Sequence, residues 1–340
     1  MNDVVIIGAG PAGLTAGMYC RLRRLSVLVL DAGRAGGQLR SVYAAKMVHD
    51  WPGRPAVVAA DLADDLATHA EELGVPVVEG EKVVEVRRVG EGFEVVGRDA
   101  ASGEERVHPA KAVIIAIGGG AVEPRRLGVP GEEALGEDSI TYRLPAAERV
   151  AGRRVVVTGG GDSALESAQF ARAAGAEVTI VHRGPVCRAM EANLEAIHRM
   201  GIECRRDMRV TALEVEDGAL RAVLIQARDA GGPAPGTGTP APDDPPIERV
   251  PCDHLVVNVG TAANLEAVQA WGVEVDAGRV RVDCGMRTSV PGIFACGDIV
   301  VYEGKYKLLV SAASEGATAA NSAYVFVRRP STVTMKDLWT

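Results

Sequence analysis

The chain has 340 residues, 47% apolar and 24% charged, which is enough for two ordinary domains and excludes a generally disordered chain. Lys and Arg total 37 against 45 Asp and Glu, a net charge of −8. That balance gives no support to a nucleic-acid binder, which carries a basic face.

Val4–Ile7 is a short apolar run that predicts a buried strand. Gly8–Gly13 follows as a turn, Leu14–Leu22 as a helix, and Ser26–Leu30 as a second strand ending at Asp31. The uncharged run from Val4 to Cys20 is broken by four glycines and a proline, and Asp3 is the only charge before it. Neither a membrane span nor a signal peptide is predicted, so the expected location is the cytoplasm. An acidic helix is predicted over Ala59–Leu73, then strands at Val75–Val78, Lys82–Arg87, Gly92–Val96 and Val113–Ile117, the last running into Gly118-Gly119-Gly120. The β-turn-α-β pattern then begins again. Arg154–Thr158 reads as a strand, Gly159–Ala164 as a turn, Leu165–Ala174 as a helix and Glu177–Val181 as a strand. Asp229–Pro246, rich in Gly, Pro, Ala and Asp, reads as a loop at a hairpin tip. Ile293–Asp298 and a final helix from about Ser311–Ala313 have no place in the second unit and are assigned to the first.

The expected fold is α/β: two Rossmann-like, three-layer ββα dinucleotide-binding domains, one inserted in the other. Residues 1–118 and 251–340 form the first domain in this reading, and 119–250 the second.

Gly8-Ala9-Gly10-Pro11-Ala12-Gly13 is a G-x-G-x-x-G between a strand and a helix. The first glycine permits the tight turn, the second admits a pyrophosphate to the backbone, and the third lets helix pack on strand. Asp31, ending the second strand, is placed to bind ribose hydroxyls. Gly159-Gly160-Gly161-Asp162-Ser163-Ala164 is the second such turn. At the offset from Ala164 that leads from Gly13 to Asp31 there is no acid, but His182, followed by Arg183 and later Arg188. A missing carboxylate with nearby guanidinium groups suits a 2′-phosphate, so the first site is expected to take FAD and the second NADPH. The alternative for Arg183 and Arg188 is solvated surface charge.

The six cysteines, Cys20, Cys187, Cys204, Cys252, Cys284 and Cys296, include no C-x-x-C. They read as reduced thiols, and the histidines show no metal-ligand spacing, so no metal is expected.

Gly36-Gly37-Gln38-Leu39, Ile115-Ala116-Ile117-Gly118, His182-Arg183-Gly184 through Arg188, and Thr288 through Cys296-Gly297-Asp298 resemble, nearly end to end, motifs of the two-domain flavoprotein reductases of the thioredoxin-reductase type. That family carries a redox C-x-x-C between its crossover segment and second glycine turn. Here no cysteine occurs between Cys20 and Cys187, so a dithiol relay has no chemical basis. The sequence is more similar to the branch without the dithiol, the thioredoxin-reductase-like ferredoxin–NADP reductases. Tyr43-Ala44-Ala45-Lys46, Tyr302-Glu303-Gly304-Lys305, Ser314-Glu315-Gly316-Ala317 through Asn321, and the tail Arg328–Thr340 carry that similarity. It implies that Gly37, Gln38, Leu39, Gly118, Asp298 and Ser314 contact the flavin. It also implies that Tyr43 stacks on one face of it, with Trp339 a candidate for the other. No acid–base residue is called for.

The activity implied is electron transfer from NADPH through FAD to ferredoxin or flavodoxin, in a homodimer. Arg21, Arg23, Arg24, Lys46, Lys305 and Lys307 are candidates for a basic docking patch, against the alternative of solvated surface charge. Three other functions stay open on sequence alone: an NAD(P)H oxidase, a disulfide reductase without its own dithiol, and a slow flavin redox sensor.

Overall fold

The computed structural model describes residues 1–119, 122–228, 245–263 and 265–328. The chain divides into two compact units. One is built from Met1–Val122 together with Ala263–Thr340, the other from the continuous stretch Glu123–Ala262.

The first unit is organised on a seven-stranded sheet. Its order is Val77–Glu79, Val27–Asp31, Asn2–Ile7, Glu105–Ile115, Gly92–Asp99, Glu81–Val89, with Ile293–Ala295 also paired to Glu105–Ile115. The first four of these strands and Ile293–Ala295 pair in parallel. Val4, Val5, Ile6, Val113, Ile114 and Ile115 are all fully buried, which is why these strands read as unbroken apolar runs rather than alternating ones. The strand expected at Val113–Ile117 begins earlier, at Glu105. Its first half pairs antiparallel with Gly92–Asp99 and its second half parallel with Asn2–Ile7. The polar residues Glu105, Arg106 and His108 belong to the half that lies in the antiparallel ribbon, and this polarity hid the strand's beginning in the sequence.

Three helices serve this sheet: Pro11–Leu22, Ala59–Glu72 and Leu309–Arg328. The first starts at Pro11 rather than Leu14, because proline at the first helical position loses no hydrogen bond and has φ preset for the helix. The last starts at Leu309. Among its buried residues, Ala312, Glu315, Gly316, Ala319, Ala320 and Ala323 form one stripe at helical spacing, with Ser322 beside it. A Cβ on Gly316 would lie 2.2 Å from the Ala12 carbonyl oxygen, so the first and last helices meet with no room for a side chain.

The second unit has a parallel five-stranded sheet in the order Ile140–Thr141, His254–Val257, Arg154–Thr158, Glu177–Val181, Glu203–Arg205. Val155 and Val157 bury one face in a cluster with the helices Asp162–Ala173 and Glu191–Arg199. Val156 and Val181 bury the other in a cluster with Val210, Val223 and Val250 of a three-stranded antiparallel sheet, Met208–Glu216, Ala219–Ala227 and Ile247–Pro251. Helix, parallel sheet and antiparallel ribbon are the three layers expected from the repeat. The ribbon strands are not singled out by the sequence pattern. They alternate apolar residues with charged ones such as Glu214 and Arg249, which pair across the ribbon at 2.6 Å. The 229–246 loop lies outside the described residues except for its last two, and its flanking strands, Ala219–Ala227 and Ile247–Pro251, do pair antiparallel.

Candidate functional site

In the first unit the three glycines of the first turn have three different surroundings. Gly8 sits at φ +105°, donates its N–H to the Leu30 carbonyl at 2.7 Å, and has no space for a Cβ, which would fall 2.4 Å from the Ala116 oxygen. A Cβ on Gly13 would fall 1.8 Å from the Gly8 oxygen, so helix and strand are locked by its absence. Gly10 is the opposite case. Its Cβ would meet only the Gly37 Cα, at 3.9 Å. The open side of the turn is therefore at Gly10, where the helix begins without a side-chain cap. Uncapped first-turn N–H groups at such an opening suit an anion.

Further segments converge on this opening. Asp31 accepts the Ala9 N–H at 2.6 Å through Oδ2 and the Gly33 N–H at 2.7 Å through Oδ1, which fixes its carboxylate beside the turn. Gly36 donates to the Ala9 carbonyl at 2.8 Å, and a Cβ on Gly37 would lie 2.9 Å from the Gly10 Cα. Gln38 opens a short helix with buried Leu39, and its Nε2 lies 3.4 Å from where a Cβ on Gly118 would be. From the far side, a Cβ on Gly297 would lie 3.1 Å from the Ala12 Cβ, which places neighbouring Asp298 near the start of the helix. So the structure brings together Gly8, Gly10, Pro11, Ala12, Gly13, Asp31, Gly37, Gln38, Gly118 and Asp298. Tyr43 follows the short helix, half-buried, with the Lys46 ammonium 5.5 Å from its ring centre. Ser314 is exposed on the last helix. Trp339 lies outside the described residues.

The sequence pattern did not single out Glu315 as a buried acceptor. The Glu315 and Lys305 side chains are 4% and 3% exposed. Glu315 accepts the Gly297 N–H at 2.8 Å, the Tyr302 O–H at 2.8 Å and the Lys305 Nζ at 2.5 Å. Burial, with Glu315 adding to it, pushes the Tyr302 phenol up to about 12, so it remains a donor across the physiological range. Lys305 is thus removed from the docking-patch candidates, since its charge is spent on Glu315 inside the protein. The signal was legible: Glu315 lies on the small-residue stripe of its helix, where an unpaired carboxylate would be costly. Arg21, Arg23, Arg24 and Lys307 are exposed. Arg23 hydrogen-bonds Asn321 and lies over the Tyr324 ring.

In the second unit Gly159 has φ +146°, and its Cβ would fall 2.4 Å from the Asn258 carbonyl oxygen. A Cβ on Gly160 would collide with the His182 ring at 2.3 Å, whereas Gly161 has nothing within 4 Å. Here the open side is at Gly161, which precedes the uncapped helix starting at Asp162. Asn258 Oδ1 is buried with no hydrogen-bond partner among the described residues. The segment from His182 to Met190 is folded onto this turn. The Arg188 N–H donates to the Gly160 carbonyl at 2.6 Å, His182 Nε2 lies 3.1 Å from the Val186 oxygen, and Asp162 Oδ1 accepts from the Met190 N–H and Asn193 Nδ2. Ser163 is half-buried and Ala164 buried at the start of the helix. The Arg183 and Arg188 side chains are exposed, and neither has an ion-pair partner among the described residues. Asp162 therefore tethers the end of this segment, at Met190 and Asn193, while the Arg188 N–H bond to Gly160 sets Arg188 beside the turn.

No helix among the described residues is long and apolar enough to cross a membrane, and no group of three or more His, Cys, Asp or Glu among them could hold a metal ion.

A family model described as pyridine nucleotide-disulphide oxidoreductase matches residues 2–316. A ferredoxin–NADP reductase of Enterococcus faecalis is 32% identical over 327 residues, covering 96% of this chain and 92% of that protein. A ferredoxin–NADP reductase of Thermus thermophilus is 33% identical over 330 residues, with 96% and 92% covered. Among solved structures, thioredoxin reductase of Lactococcus lactis matches with a TM-score of 0.82 at 29% identity, over 96% of this chain and 99% of that one.

Proposed function

The chain belongs to the pyridine nucleotide-disulphide oxidoreductase family, and from that premise we propose that it passes electrons from NADPH, through FAD, singly to ferredoxin or flavodoxin. It is an oxidoreductase that uses FAD and NADPH. The observation that carries the choice of acceptor is that no cysteine stands between Cys20 and Cys187, where a thioredoxin-type enzyme needs its dithiol. The names of the full-length relatives support the same acceptor.

The two glycine turns fit two dinucleotides. At the first, the space at Gly10 admits a pyrophosphate to the N–H groups of Ala12 and Gly13, and Asp31 is held where ribose hydroxyls would lie. Gly37, Gln38, Leu39, Gly118, Asp298 and Ser314 are assigned to the rest of the flavin, with Tyr43 stacking on the ring. At the second, Gly159, Gly161, Asp162, Ser163 and Ala164 form the pyrophosphate cradle. His182, Arg183 and Arg188 border the 2′-phosphate, and the orphaned Asn258 Oδ1 gives the nucleotide an acceptor. Met1–Val122 with Ala263–Thr340 are the FAD domain in this reading, and Glu123–Ala262 the NADPH domain; the boundaries lie beyond the expected 118 and 251 because His254–Val257 pairs inside the second unit's sheet. FAD supplies the conversion from two-electron donor to one-electron acceptor. The chain's own task is to bind, orient and shield. We place the enzyme in the cytoplasm as a homodimer, twofold pairing being the commonest assembly of soluble proteins.

The test is NADPH-driven cytochrome c reduction with and without ferredoxin. A saturable increase of roughly tenfold or more, falling as salt screens the basic patch of Arg21, Arg23, Arg24, Lys46 and Lys307, is the expected result. Rapid bleaching of the flavin by NADPH with no gain from ferredoxin would instead point to oxygen or a disulfide as acceptor.

A second measurement addresses the nucleotide. Each guanidinium bound to the 2′-phosphate contributes about 1.5–3 kcal/mol, roughly tenfold or more in affinity. Arg183→Ala with Arg188→Ala is therefore expected to raise KM for NADPH by about 100-fold and to leave KM for NADH nearly unchanged. Equal losses with both nucleotides would remove the two arginines from that role.

A further inference from the structure

Two cysteines that look unrelated in the sequence meet in the second unit. Cys187 Sγ and Cys204 Sγ lie 3.9 Å apart. Cys187 is buried in the loop that carries Arg188, and Cys204 is half-buried in the edge strand Glu203–Arg205. We propose that Cys187 and Cys204 form a reversible disulfide whose closure withdraws Arg188 from the nucleotide turn and weakens the hold on the 2′-phosphate of NADPH. The effect on binding rests on the reading of Arg188 given above; the disulfide itself does not.

The two sulfurs are in van der Waals contact, and a disulfide requires about 2.0 Å. They must therefore approach by about 1.9 Å. The two sides are not equally free to move. Cys204 lies in a strand paired along its length with Thr179–Val181, and the His182 N–H adds a bond to the Arg205 carbonyl at 2.9 Å. The Cys187 side is a loop, held on one side of the cysteine by the Arg188 N–H bond to the Gly160 carbonyl and on the other by His182 Nε2 against the Val186 oxygen. Closure draws the loop toward the strand and strains the bond that sets Arg188 beside Gly160.

The oxidant is a low-molecular-weight disulfide. The more accessible Cys204 sulfur, as thiolate, attacks one sulfur of that disulfide and expels one small thiol. The Cys187 sulfur then attacks Cys204 Sγ and expels the second. One S–S bond breaks and one forms. Two protein thiols are oxidised and the small disulfide is reduced to two small thiols, which take up the two protons. Burial, reinforced by Cys187, pushes the Cys204 thiol up to about 12. Exchange is consequently slow at neutral pH and quickens as the pH rises.

The full-length protein would be incubated with oxidised glutathione at pH 8.5, alkylated, digested and mapped by mass. Mapping is needed because exposed Cys284 can take glutathione as well. Affinity for 2′,5′-ADP and for 5′-AMP would be measured by calorimetry before and after oxidation. The expected result is a peptide joining residues 187 and 204, with 2′,5′-ADP bound about tenfold more weakly and 5′-AMP much less affected. Dithiothreitol should reverse both changes. Cys204→Ser and Cys187→Ser proteins should keep the reduced affinity after the same treatment. Absence of the joined peptide, or its presence with 2′,5′-ADP affinity unchanged, would overturn the proposal. If the reduced protein itself binds 2′,5′-ADP no better than 5′-AMP, the reading of Arg188 fails and the effect on binding fails with it. The peptide map then still decides the disulfide independently.

Discussion

Gly10→Ala is expected to yield a folded protein without bound flavin. Nothing in the fold opposes the new methyl group, whose nearest neighbour would be the Gly37 Cα at 3.9 Å. Gly10 is the extended N-cap of the helix, where alanine is a poorer cap than glycine, but its backbone angles are open to alanine. On the assignment proposed above, the methyl instead occupies the opening through which a pyrophosphate would reach the first-turn N–H groups. Losing two charge-assisted hydrogen bonds there amounts to about 3–6 kcal/mol, or more than about 100-fold in affinity. The purified variant should show wild-type far-UV circular dichroism, little absorbance near 450 nm, and activity reduced by a similar factor. Gly13→Ala separates this effect from simple disruption. Its Cβ would sit 1.8 Å from the Gly8 oxygen, backbone against backbone, so the helix must shift off the strand. That protein should be poorly soluble or melt far lower. A Gly10→Ala protein as yellow as the wild type would sink the assignment of this turn to the flavin.

The contrast between these glycines marks what could be read from the sequence. The order of strands and turns along the chain, the repeat, and the positions of both glycine turns follow from apolar runs and glycine spacing, because parallel strands buried on two faces leave a continuous apolar signature. Which glycine is open and which is closed does not follow. That depends on the Ala116 carbonyl, the Gly37 backbone and the His182 ring, all supplied by other segments. Asp162 shows the same limit. Its place in the motif suggests a contact with nucleotide, yet its carboxylate holds Met190 and Asn193. The meeting of Cys187 with Cys204 is invisible locally, since it depends on the register of Glu203–Arg205 against Glu177–Val181. The strand Glu105–Ile115 was half legible for a related reason. One strand serves two kinds of pairing, and only the apolar half announces itself.

Lys305 carries its charge inside the protein and not at its surface. A lysine after a glycine in a loop looks like surface charge. In the fold it is 3% exposed and bonded to Glu315, which also holds the Gly297 N–H and the Tyr302 hydroxyl. Lys305→Met keeps the length of the apolar stem and removes the ammonium, leaving a buried carboxylate with two neutral donors. Breaking a buried pair from one side costs about 3–5 kcal/mol. For a unit of roughly 200 residues the melting temperature should fall by about 6–12 °C or more. Glu315→Gln in the same chain removes the stranded charge while its amide oxygen can still accept from Gly297, so the double variant should recover a good part of that loss. Thermal melts of the wild type, Lys305→Met and the double variant decide the matter. If the single variant melts with the wild type, the pair contributes nothing to the fold. If the double variant is no better than the single, the damage lies in packing and not in the unpaired charge. Flavin retention supplies an independent reading, because Glu315 fixes the residue next to Asp298. A Lys305→Met protein that recovers on adding excess FAD would show that the buried pair acts by holding Gly297 and Asp298 in place for the cofactor. Stability and cofactor binding would then share one carboxylate, placed by the small-residue stripe of the last helix and the close contact of Gly316 with Ala12.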